Sequence, residues 1–145
     1  MVGLPDRKTL PNDILLGEVS ELLAEGNDVV IMTKGNSMLP FIRGDRDSVK
    51  LFRKDTVSAG DIVLAEITPG HYVLHRVIKA DSDSLTLQGD GNLRGVEHCR
   101  AGNVKGTVVE IIKPGKTVVP DKGKLWLCLR PVRRILLGLY RRILL

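Results

Sequence analysis

Gly60-Asp61-Ile62-Val63-Leu64-Ala65-Glu66-Ile67-Thr68-Pro69-Gly70-His71-Tyr72-Val73-Leu74-His75-Arg76-Val77-Ile78-Lys79 is the stretch that decides the fold class. Two runs rich in Val, Ile and Leu flank Pro69-Gly70, a pair that marks turns. Asp61 to Ile67 and His71 to Lys79 therefore read as strands. The same pattern continues outward in both directions. Val29-Val30-Ile31-Met32 is a short β-branched run, and Asp47 to Phe52 follows a Gly44-Asp45 turn. Ser84 to Gln88, Val104 to Ile112 and Thr117 to Val119 complete the set. Strands at this spacing, punctuated by Gly, Pro and Asp, predict a mostly β fold of antiparallel strands.

Two helical segments bracket the strands. Asn12 or Asp13 is placed to cap a helix over about 13–25. Its apolar set, Ile14, Leu15, Val19, Leu22 and Leu23, falls at helical spacing, and Gly26-Asn27 ends it. At the other end, residues 131–145 return to helical spacing. On a helical wheel Arg130, Arg134 and Arg141 group together, with Arg133 and Arg142 flanking and Ile135, Leu136, Leu139 and Ile143 opposite. This is a basic amphipathic helix. The expected organisation is an N-terminal arm and short helix (1–28), a β domain (29–120) and the C-terminal helix (121–145).

The chain has 145 residues, 43% of them apolar and 27% charged, which suits one folded domain. Aromatics are scarce, so Val, Ile and Leu should fill the core. The net charge of +5 is uneven. Six of the 22 Lys and Arg lie in residues 124–145, which hold no acid, leaving 16 basic residues against 17 acids elsewhere. The basic character belongs to the tail, and no nucleic-acid partner is expected of the body. Cys99 and Cys128, with His71, His75 and His98, form no metal-ligand spacing, so neither a metal nor another cofactor is expected. Reduced thiols are the expected state of the cysteines. Residues 1–12 lack the apolar core of a signal peptide, and no run approaches the ~20 apolar residues of a membrane span. The expected location is the cytoplasm, with contact to a membrane surface through 131–145.

Three short stretches carry side chains suited to one chemistry. Gly35-Asn36-Ser37-Met38-Leu39-Pro40 offers a serine in a turn, with Gly35 before it and Pro40 after it to hold the backbone. The backbone N–H groups of such a turn suit an oxyanion. His75 shares a strand face with Val73 and Val77. Asp90 lies in Gly89-Asp90-Gly91-Asn92, just beyond a strand. Nucleophile, base and orienting carboxylate are what acyl transfer by serine requires. Taken singly, each has a plainer reading: a polar loop, a core histidine, a β-turn.

The order and spacing of these stretches, with Gly60-Asp61 between them, resemble type I signal peptidases and the LexA-type autoproteases over about residues 29–112. The matching positions are Gly35, Ser37, Met38 and Pro40, then Gly60 and Asp61, then His75-Arg76-Val77, then Gly89, Asp90 and Asn92. The resemblance implies a serine endopeptidase that cleaves an extended peptide after small residues. Ser37 would be the nucleophile, His75 the base and Asp90 its partner. Gly35, Asn36, Met38 and Pro40 would serve substrate and oxyanion, with Met38 lining the pocket beside the serine. The histidine resembles the archaeal and endoplasmic-reticulum branch, where bacterial members have lysine. Where that branch often has a second aspartate a few residues on, this chain has Glu97. Where family signal peptidases have a transmembrane helix before the serine, this chain has the segment near 13–25. The alternative is an inactive relative that binds peptides or membranes. A self-cleaving LexA-like regulator ranks last, because the 34 residues before Gly35 are too few for a helix-turn-helix.

Overall fold

The two runs quoted first pair antiparallel as β4 (Ile62–Thr68) and β5 (His71–Asp81), with Val63 opposite His75. They lie in a computed structural model that describes residues 2–3, 12–92, 95–123 and 132–144. The other strands are β1 (Val2–Gly3), β2 (Val29–Met32), β3 (Ser48–Phe52), β6 (Ser84–Gln88), β7 (Glu97–Arg100), β8 (Val104–Lys113) and β9 (Lys116–Val118). Among the described residues they form one sheet in the order β1-β2-β3-β8-β4-β5-β6-β7, with β9 paired to β8. Every pairing is antiparallel except β1 with β2, so the mostly β, antiparallel fold expected from the sequence is what the chain adopts. Two helices accompany it, α1 (Asn12–Ala24) and α2 (Arg133–Leu144).

Two strands lie outside the sequence expectation. β7, Glu97-His98-Cys99-Arg100, alternates half-buried with exposed residues and has no apolar run to announce it. β1 falls within the expected N-terminal arm yet pairs with β2, Val2 opposite Val29. The remaining strand ends agree with the sequence reading to within a residue or two. Residues 4–11 and 124–131, with Cys128, lie outside the described set.

The sheet is apolar on both faces at its centre. Ile62 and Leu64 of β4 join Val19 and Leu23 of α1, Val29, Val49, Leu51 and Val108 in the main core. Val63 and Ala65, pointing the other way, join Val77, Leu85 and Leu87 in a second cluster. Alternation of side chains along a strand sends neighbours to opposite faces. β4 is buried on both because α1 covers one face and the sheet curls over the other, bringing β7 and the 3-10 turn Ala101–Asn103 against it. Among the described residues the 19 buried apolar ones are Val, Leu and Ile apart from Met38 and Ala65, as the scarcity of aromatics implies. Ile14 departs from the expected apolar face of α1 and is half-exposed.

Candidate functional site

Thr33 and Asp47 tie the neck of the serine loop. Thr33 N–H donates to the Asp47 carbonyl at 3.0 Å and its hydroxyl donates to the same oxygen at 2.7 Å. The Asp47 carboxylate then holds the loop from inside. It accepts from Arg43 N–H at 2.8 Å, from Arg46 Nε at 2.7 Å and from Lys113 Nζ at 2.8 Å, while Lys113 also donates to the Phe41 carbonyl. Burial alone would push the Asp47 carboxyl up, but these donors outweigh it and hold it at about 2. Inside the loop Phe41 and Ile42 N–H donate to the Met38 carbonyl, and the Leu39–Pro40 peptide is cis. Gly35 has φ +73, and a side chain at Gly44 would overlap its backbone, so both positions call for glycine.

The Gly89-Asp90-Gly91 turn braces the serine from the sheet. Gly91 N–H donates to the Ser37 carbonyl at 2.7 Å. A Cβ on Gly89 would collide with that same carbonyl, and one on Gly91 would come within 2.6 Å of the Asn36 carbonyl. The two glycines therefore let the backbone of residues 36–37 lie directly on the end of β6. Asp90 N–H meets the Met38 sulfur at 3.4 Å. Met38 itself is packed in the main core, so the expectation of a Met38 side chain lining a pocket beside Ser37 meets an inward-turned residue. Ser37 is half-buried, and Gly35 and Asn36 are exposed.

Register brings His75 to the same place. Arg76 pairs with Gln88, so the ladder continued by one residue sets His75 across from Gly89. Cross-strand neighbours stand about 5 Å apart at Cβ. The space that a Gly89 side chain would occupy is filled by the Ser37 carbonyl. His75 Nδ1 is 2.5 Å from Glu97 Oε1 on β7. β7 is reached across β6, where Glu97 pairs with Leu87. With Nδ1 engaged by a carboxylate, Nε2 is the ring nitrogen left to accept a proton.

Asp90 is placed differently from the sequence expectation. Its two oxygens accept from Arg76 Nε and Nη2, both at 2.8 Å, in a buried bidentate pair. Arg76 also donates to the Gly60 and Asp121 carbonyls and lies 5.2 Å above the Phe41 ring. Burial pushes the Asp90 carboxyl above its ordinary range, against the pull of Arg76. The reason for the exchange is strand alternation. His75 and Arg76 are adjacent and point to opposite faces of β5, and Asp90 stands on the Arg76 side. The carboxylate beside His75 is that of Glu97.

Among the described residues no group of three or more His, Cys, Asp or Glu is arranged to hold a metal ion. Cys99 is a half-buried thiol whose ionisation is pushed up by burial. No helix among the described residues is long and apolar enough to cross a membrane. Searches against protein-family models and against curated proteins return no match.

Proposed function

We propose that the protein is a serine endopeptidase of the signal-peptidase and LexA type, acting on an extended peptide and cleaving after small residues. Ser37 attacks the scissile carbonyl, and His75 Nε2 takes the hydroxyl proton and passes it to the leaving amine. Glu97 holds the imidazole by Nδ1 and stabilises its protonated form, the part played by the aspartate of a serine triad. Water then releases the acyl group from Ser37 by the same proton route. Backbone N–H groups around Gly35 to Met38 serve the oxyanion. Arg76 and Asp90 are positioning residues, fixing the turn on which the serine loop rests.

What supports this reading is the arrangement at the end of β6: the Ser37 carbonyl in the place of a Gly89 side chain, Arg76 paired with Gln88 so that His75 is the next residue along the ladder, and Glu97 on Nδ1 of His75. The experiment is cleavage of a peptide library carrying Ala-x-Ala sites. Ser37→Ala and His75→Ala should each abolish cleavage, and a fluorophosphonate probe should label Ser37 in the unsubstituted protein. Full cleavage by either variant removes the residue from the mechanism and overturns the assignment.

A further inference from the structure

The C-terminal helix divides into three faces, and one of them points to a membrane surface. At about 100° per residue, Arg133, Leu137 and Tyr140 share one side. That side is docked on the domain. Leu137 is fully buried against Leu39, Tyr140 packs into the same cluster with Phe41, and the Arg133 guanidinium reaches Gln88 Oε1 at 3.4 Å. Arg133, which flanks the basic group on the wheel, therefore belongs to the docked face. A second arc, about 100° wide, is apolar and turned outward: Ile135 is 65% exposed, Leu139 49% and Ile143 73%, with Val132 and Leu136 beside them. The third arc holds Arg134, Arg141 and Arg142, all exposed.

We propose that the outward faces of α2 dock the protein on an anionic phospholipid surface. An exposed apolar stripe of this width on a folded domain marks a contact site. The arginines alongside it select the occupant. They complement phosphate headgroups while Ile135, Leu139 and Ile143 enter the acyl boundary, the arrangement of an interfacial helix. A nucleic acid would satisfy the arginines and leave the apolar stripe in water. A second copy of this chain would bring like-charged arcs together. At 12 residues the helix is about 18 Å long, short of the ~30 Å hydrocarbon core, so it lies on the surface and does not span it.

The docked face ties this surface to the site. Leu137 rests on Leu39, two residues beyond Ser37, and Arg133 reaches Gln88, next to the Gly89 that carries the Ser37 backbone. Lipid-bound α2 holds the serine loop about one helix diameter, roughly 10 Å, from the headgroups.

The test is flotation of the intact protein with vesicles of phosphatidylglycerol and phosphatidylcholine against vesicles of phosphatidylcholine alone. Binding should require the anionic lipid and weaken with added salt. Arg134→Gln, Arg141→Gln and Arg142→Gln together should lower affinity about a hundredfold, at about fivefold for each charge. Ile135→Ser, Leu139→Ser and Ile143→Ser together should do about the same through lost apolar burial. All six side chains are exposed, so circular dichroism should show the fold retained. No binding to anionic vesicles overturns the proposal. So does a dimer in sedimentation that the serine triple variant dissociates and that fails to float. Flotation does not read cleavage, so an inactive but vesicle-bound protein overturns the peptidase reading alone.

Discussion

His75 and Arg76 are neighbours in the chain, face opposite sides of β5, and each has its own carboxylate. Glu97 meets the imidazole at 2.5 Å and Asp90 meets the guanidinium through two bonds at 2.8 Å. The two pairs should respond differently to loss of charge. Glu97→Gln removes the orienting group of a half-buried pair, so turnover should fall about a thousandfold with little change in melting temperature. Asp90→Asn breaks a buried ion pair and leaves Arg76 uncompensated, which costs about 3 kcal/mol and about 10 °C in melting temperature. Thermal scans beside peptide cleavage assays check both, and the reverse pattern would return Asp90 to the catalytic position. That Ser37 lies in a turn and His75 in a strand is legible from the sequence because each sits in a local pattern, a glycine-proline turn and an alternating strand. The partner of His75 is not local. It depends on which side of β5 the Gly89 turn meets and on the register of β7 across β6, neither of which the chain states in one dimension.

The serine loop is an element in its own right, closed at Thr33 and Asp47 and held on one buried carboxylate. Asp47 ionises at about 2, below its ordinary 3.8, because donors from Arg43, Arg46 and Lys113 outweigh the effect of burial. A carboxyl lowered on folding stabilises the native state above the unfolded value and loses that contribution as pH falls through the folded one. The loop should therefore be fully held above about pH 4 and released progressively down to about pH 2. Melting temperature against pH should fall across that window in the native protein. In Asp47→Asn it should start lower, by the equivalent of about 2 kcal/mol, and change less. An unchanged slope would place the acid sensitivity elsewhere. Asp47 is read from the sequence as the first residue of a strand. Its role in the loop escapes that reading because Lys113, 66 residues away, supplies one of the donors.

At the scale of the whole molecule, the apolar runs and their punctuation are enough to read a mostly antiparallel β domain with a helix at each end. What they omit is how the ends are used. β1 is two residues long, and its pairing with β2 is parallel and distant in sequence. α2 presents an apolar stripe that periodicity finds readily, yet the face that docks is the one marked by Arg133, Leu137 and Tyr140. An amphipathic pattern says that a helix has two faces and leaves open which of them the domain covers. β4 shows the opposite case, a strand whose residues Ile62 to Ala65 are buried on both faces. β5 and β8 bond both of its edges, α1 lies over one face and the curled sheet over the other. Its amides have no local route to solvent. In deuterated buffer the N–H groups of Val63, Leu64 and Ala65 should exchange last, at a rate set by global unfolding of the chain, while those of α2 exchange through fraying long before. Faster exchange in β4 than in α1 would show that the sheet opens at its centre.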